Sequence, residues 1–121
     1  MAEHNDQGKF GEEQALKFIK KLNYAIIECN WQFKKFEIDI IAKDGEVLVV
    51  VEVKTRKSDA FGTPESFVTK QKQRQLIKAI NHYVEQKNLL NEIRFDIISV
   101  LHDGKNIIIE HIPEAFYPIV K

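Results

Sequence analysis

Cysteine, methionine and tryptophan occur once each and proline three times in 121 residues, and neither sign of charge is in excess. With Cys29 as the one thiol, no intrachain disulfide can form and nothing suggests a cysteine-based metal site, which favours a reducing compartment. Long apolar runs are also missing. The longest, Val47 to Val51, is far too short to cross a bilayer, and the polar start from Met1 to Gly8 lacks the apolar stretch of a signal peptide. A cytoplasmic chain with no membrane partner is the expectation. Lysine plus arginine (18) balance aspartate plus glutamate (18), which argues against a protein that holds nucleic acid by bulk charge alone. Any such contact must come from local basic patches or from a metal that offsets local acid. No repeat, low-complexity segment or linker is found, so one domain over residues 1–121 is expected.

What is present is a full set of alternating elements. Ala15, Phe18, Ile19 and Leu22 recur at helical spacing and predict a helix over Lys9–Leu22. Strands are predicted over Ala25–Phe33, Phe36–Ala42 and Val47–Lys54, the last two joined by a hairpin turn at Asp44-Gly45. A loop follows over Arg56–Thr63. Pro64 is suited to open a long helix that runs to about Lys87, with Leu76, Ile77, Ile80, Tyr83 and Val84 on its buried face. Strands over Arg94–Leu101 and Asn106–Ile112 flank a turn at Asp103-Gly104, and a short tail over Pro113–Lys121 ends the chain. The order is helix, three strands, helix, two strands, with the long helix placed as a crossover. It predicts an α/β domain with a central sheet of about five strands flanked by helices.

The hairpin carries the chemistry. A two-residue loop at Asp44-Gly45 sets Asp39 opposite Val50 and Glu37 opposite Glu52, and a loop longer by two keeps the same faces. Because strand side chains alternate, Glu37, Asp39, Glu52 and Lys54 share one face, and Phe36, Ile38, Ile40, Val47, Val49, Val51 and Val53 share the other. Carboxylates facing each other across strands repel unless they are solvated, protonated or bridged by a cation. A hard divalent cation such as Mg²⁺ or Mn²⁺ takes oxygen ligands from one or two carboxylates, water and phosphate. Such a cation beside a lysine is the equipment of phosphodiester hydrolysis, because it polarises the phosphoryl oxygen and acidifies a bound water. Glu12 lies on the flank of the first helix's apolar stripe and can lean toward the sheet, whereas Glu13 points further toward solvent.

An isolated Glu-x-Lys is most often the solvated face of a half-buried sheet, so the weight rests on the whole set. Lys72 lies on the flank of the long helix's apolar stripe and can face the site. With Lys70, Arg74 and Lys78 of the same helix, and with Lys34, Lys35, Arg56 and Lys57, it can form a groove for phosphates. Arg74 and Lys78 lie opposite the stripe and read as a solvated helix face. Trp31 and Phe33 have the rings to stack on a base, with Trp31 better read as core. His4, His82, His102 and His111 show no metal-ligand spacing and read as surface or hairpin residues, Asp96 as a structural anchor, and Cys29 as a small buried residue.

The pattern Gly8-x-x-Gly11-Glu12-x-x-Ala15, Asn30-Trp31, Glu37-Ile38-Asp39-Ile40-Ile41-Ala42, Asp44-Gly45, Val51-Glu52-Val53-Lys54-Thr55-Arg56, Phe61-Gly62, Lys72, Arg94-Phe95-Asp96 and Ala115-Phe116 resembles the YraN-like family of uncharacterised bacterial proteins. The match covers nearly the whole chain and is most specific from Glu37 to Arg56. That family is similar to the PD-(D/E)xK nucleases, including archaeal Holliday-junction resolvases. The resemblance implies a restriction-endonuclease-like core, with Asp39 and Glu52 as metal ligands, Lys54 as catalytic lysine and Glu12 as the helix acid. Glu37, common in the pattern, is taken to support the ligands from behind. Phe36 stands where the family often has glycine, and Gln32 where arginine is common. Ile38 replaces the proline of the superfamily name, which takes no part in the chemistry. The resemblance therefore implies a Mg²⁺- or Mn²⁺-dependent endonuclease acting on DNA, branched or damaged DNA included. A homodimer would suit symmetric junctions. The competing expectation is a non-catalytic nucleic-acid-binding module that recruits another enzyme, and a third is an adaptor that binds only protein.

Overall fold

The computed structural model describes residues 2–57 and 68–117, with side chains described from residue 8 onward. The elements are α1 (Ala2–Lys21), β1 (Ala25–Phe33), β2 (Phe36–Asp44), β3 (Val47–Arg56), α2 (Lys70–Lys87), β4 (Ile93–His102) and β5 (Ile107–Phe116). The strands form one five-stranded sheet in the order β1-β2-β3-β4-β5. Pairing is antiparallel except between β3 and β4, which α2 joins as a parallel crossover. The α-β-β-β-α-β-β order and the mixed five-stranded sheet are those expected of a restriction-endonuclease-like core.

One helix covers each face. Ala15 and Ile19 of α1 pack on Ile40, Ala42, Val49, Val51, Ile98 and Val100. Leu76, Ala79, Ile80 and Tyr83 of α2 pack on Ile38, Ile41, Leu48, Val50, Phe95 and Ile97. Burial on both faces explains the near-continuous apolar runs of β3 and β4, since both sides of a pleat must be apolar where both are covered. The hairpin face is thus not solvated throughout. Toward the turn, the face expected to bear the acids becomes core beneath α2.

Several boundaries differ from the sequence-based expectation. Helix α1 starts at Ala2 rather than Lys9. Helix α2 begins at Lys70, because Thr69 is extended and its side chain accepts the Lys72 N–H at 3.1 Å, capping the helix. Pro64, Phe61-Gly62 and most of the expected loop lie outside the described residues. Strand β5 runs through Pro113 to Phe116, which an edge strand tolerates because one side of its backbone needs no partner.

The β2–β3 turn is Gly45-Glu46 rather than Asp44-Gly45. Asp44 pairs with Val47, and Gly45 supplies the positive φ of 63°. Arg94 explains the shift, since its Nη1 donates to Asp44 Oδ2 at 2.9 Å and holds Asp44 at the strand end. The register becomes Lys43↔Leu48 and Ile41↔Val50, so continuing the count sets Asp39, not Glu37, across from Glu52. The predicted apolar underside also divides. Ile38 lies in the α2 cluster and Ile40 in the α1 cluster, so the alternation of β2 breaks at Asp39. Beside this break, Asn30 of β1 has a φ of 52°.

Candidate active site

The ladder between β2 and β3 ends at Ile40↔Val51, while β3 stays paired to β4 as far as Arg56↔Leu101. Beyond Val51 the sheet therefore forks. The Asp39 side chain fills the first gap, with Oδ2 accepting the Val53 backbone N–H at 2.9 Å. A carboxylate in place of a strand carbonyl satisfies a donor that the fork would leave unpaired, and fixes the orientation of Asp39.

Glu52, the next residue after Val51 to point toward α2, is 4% exposed. Its Oε2 lies 3.6 Å from Lys54 Nζ and 3.8 Å from Lys72 Nζ of α2. Its Oε1 is buried with no hydrogen-bond partner. Burial, followed by repulsion from Glu52, pushes the Asp39 carboxyl up from its ordinary value of 3.8 to about 7, against the Val53 N–H, and Glu12 adds to the repulsion. Burial likewise raises Glu52, opposed by Lys72 and Lys54 and aided by the negative charge of Glu37. Glu12, Glu37, Asp39 and Glu52 thus share one field, in which each added negative charge makes the next harder to hold.

Helix α1 reaches this fork through Gly11. A Cβ on Gly11 would collide with Thr55 Oγ1 and lie 3.0 Å from Thr55 Cβ. The missing side chain lets α1 lie directly on β3, and the next residue, half-buried Glu12, comes within electrostatic reach of Asp39. On the other face, α2 points its first turns at the site. Lys72 reaches Glu52 from that first turn, which contains no acid to offset its positive dipole end.

The structure therefore brings Glu12, Asp39, Glu52, Lys54 and Lys72 together, with Glu37 near enough to act on Glu52. Lys57 is exposed just past the end of β3. Arg56 is half-buried and donates from Nη2 to Ser99 Oγ at 3.3 Å, while its Nε and Nη1 are shielded from solvent, so this guanidinium is turned onto the sheet.

The donor set suits a hard divalent cation. Two carboxylates lie side by side, both favouring neutralisation, and one oxygen of Glu52 has no donor to satisfy it. Among the described residues no three His, Cys, Asp or Glu side chains gather into a ready metal cage. A Mg²⁺-type ion does not need one, since it keeps several waters and takes one or two carboxylates together with substrate phosphate.

A second polar cluster, around β4 on the α1 face of the sheet, was not legible in the spacing of the sequence. Asp96, 1% exposed, accepts Arg94 Nε at 2.9 Å, Arg94 Nη2 at 3.0 Å and the Glu114 N–H at 3.1 Å, and pairs with His111 Nε2 at 2.7 Å. Burial pushes Asp96 up, but His111, Arg94 and the Glu114 N–H together hold it below the usual carboxylate range. The reading of Asp96 as a structural anchor stands. His111, read as a surface or hairpin residue, lies in the β4–β5 hairpin and is half-buried, with this carboxylate and the rings of Phe18 and Tyr24 around it. Cys29, expected to be buried, is exposed, since β1 is an edge strand.

Fold and site together define a mixed α/β protein with a carboxylate–lysine cluster at a forked sheet. The model of the uncharacterised protein family UPF0102 matches residues 11–100, and the chain belongs to that family, the YraN-like family whose motifs it carries. A UPF0102 protein of Flavobacterium psychrophilum is 54% identical over 97% of this chain and 98% of its own length. One from Christiangramia forsetii is 48% identical over the same shares, and one from Phocaeicola vulgatus is 44% identical over 98% of each chain. No helix among the described residues is long and apolar enough to cross a membrane.

Proposed function

We propose that the chain is a metal-dependent endonuclease that hydrolyses DNA phosphodiester bonds at the fork between β2 and β3. Glu52 carries this reading. A structural ion pair accounts for Oε2, which has two lysine ammonium groups near it, but not for Oε1, which is buried without a donor beside a second carboxyl. Leaving a buried charge half-satisfied is costly, and a cation removes that cost.

Asp39 and Glu52 would hold Mg²⁺ or Mn²⁺, which when bound would polarise a phosphoryl oxygen and acidify a water. The Val53 N–H keeps Asp39 aimed into the fork. Lys54 is partly exposed at the rim, where its ammonium can orient a water or stabilise charge building on the phosphate. Lys72 and Lys57 offer positive charge to the flanking phosphates. Glu12 and Glu37 deepen the negative potential that draws a cation in. DNA as substrate and a single cysteine fit a cytoplasmic location, and a symmetric branched substrate would call for two copies of the chain.

The test is incubation of the protein with Mg²⁺ or Mn²⁺ and a panel of single-stranded, duplex and branched DNA, beside a Lys54→Ala control. Metal-dependent cleavage that the control lacks is the expected result. Binding without cleavage by either protein would instead favour a module that recruits another enzyme.

A further inference from the structure

A groove of about 260 Å³ runs between the β1–β2 turn and α2, lined by Lys35, Phe36, Gln71, Arg74, Gln75 and Lys78. Residues 71, 74, 75 and 78 form one stripe of α2, because they follow the helical repeat. Three of the six lining residues are cationic and none is acidic. Lys35, Arg74 and Lys78 form no ion pair among the described residues, whereas Lys54, Lys72, Arg94 and His111 each have an acid partner. Three uncompensated cations around one concavity repel each other, and an anion relieves that repulsion.

The groove also has an aromatic side. Phe36 is half-buried in its wall. One turn beyond Lys78, His82 continues the stripe and stacks on Phe33 with centroids 4.0 Å apart. Lys34 Nζ lies 5.4 Å from the Phe33 ring centroid. From Gln71 to His82 the helix rises about 16 Å at 1.5 Å per residue. That spans roughly four to five phosphates at the 3.4 Å spacing of one stacked strand. Two of the groove's lining residues are chain neighbours of residues at the carboxylate site. Phe36 precedes Glu37, which acts on Glu52, and Gln71 precedes Lys72, whose ammonium lies 3.8 Å from Glu52.

We infer that this groove holds an unpaired DNA strand next to the fork, with Lys35, Arg74 and Lys78 on its phosphates and Phe36 on a base. Cations that track a backbone beside aromatic rings that accept any base are the equipment of single-strand binding, and duplex DNA keeps its base faces stacked away from such rings. The inference refines the nuclease reading by naming the substrate as DNA with a single-stranded segment adjoining the cut, but the groove's binding needs neither metal nor cleavage.

The test is fluorescence anisotropy with a labelled single-stranded 15-mer in EDTA, titrated over a range of NaCl concentrations. Arg74→Gln combined with Lys78→Gln alters two exposed side chains and should flatten the slope of log K against log[salt] by about 1.4, at about 0.7 per phosphate contact. Phe36→Leu should weaken binding about five-fold or more with the slope unchanged. An unlabelled duplex of equal length should compete worse than the single strand. An unchanged slope in the double variant, or a duplex that competes equally well, overturns the inference. Cleavage by wild-type protein alongside an unchanged slope would leave the nuclease reading standing and remove the groove. A flattened slope without any cleavage would do the reverse.

Discussion

Replacing Asp39 by asparagine should stabilise the metal-free protein by an amount that grows as pH rises from about 4 to about 7. Asparagine keeps an oxygen to accept the Val53 N–H and removes the charge that burial and Glu52 oppose. In the folded protein the Asp39 carboxyl holds its proton up to about pH 7, against an ordinary value of 3.8. Between those values the folded state binds a proton that the unfolded chain has lost. The stability from this group is therefore complete below about pH 4 and is lost as pH rises through 7. The full difference corresponds to roughly 4 kcal/mol, and partial solvent access and sharing of the proton with Glu52 reduce it to about 2 kcal/mol. For a chain of this size that is roughly 6–10 °C in Tm. Thermal melts in EDTA should show equal Tm values for the two proteins at pH 4 and a lead of that size for Asp39→Asn at pH 8. Adding Mg²⁺ at pH 8 should raise the wild-type Tm and leave the variant unmoved, since only the folded wild-type site gains a ligand. A Tm difference that stays flat from pH 4 to pH 8, or an asparagine variant less stable at pH 8, would refute the reasoning.

Gly11→Ala should cost about 1–3 kcal/mol in chemical denaturation, because its Cβ meets the Thr55 side chain, and Thr55→Ala in the same chain should recover most of the loss. Lys72→Ala removes one of the two ammonium groups beside Glu52, so half-maximal Mn²⁺ binding, followed by calorimetry, should move to higher pH. Asp96→Ala should destabilise by about 3–5 kcal/mol by stripping a buried partner from Arg94 and His111. Since the Asp96 carboxyl is held below its ordinary value, the stability it provides is present above about pH 4 and lost as pH falls further, so wild type and variant should converge in acid melts.

The period of the hydrophobic pattern already determined much of this protein. Alternation in Phe36–Lys54 placed Asp39, Glu52 and Lys54 together, and the helical wheel turned Glu12 rather than Glu13 toward the sheet. These signals are local, since each needs only the repeat of one element and the turn that joins two. Tertiary structure decided what depends on residues distant in the chain. Arg94, fifty positions from Asp44, moved the hairpin turn by one residue and so set Asp39 rather than Glu37 toward Glu52. The break in alternation at Asp39 leaves Ile38 packed beneath α2 and Ile40 beneath α1, and only the packed structure shows it. Gly11 is only one position of a pattern in the sequence, and its need to be glycine shows once Thr55 lies against it. Arg74 and Lys78 read as a solvated helix face, and become part of a groove only because the β1–β2 turn brings Lys35 and Phe36 opposite them. A sequence sets the repeat of each element, and with it which side chains share a face wherever that repeat runs unbroken. Which faces meet, and how buried their charges become, is set by the packing of the whole chain.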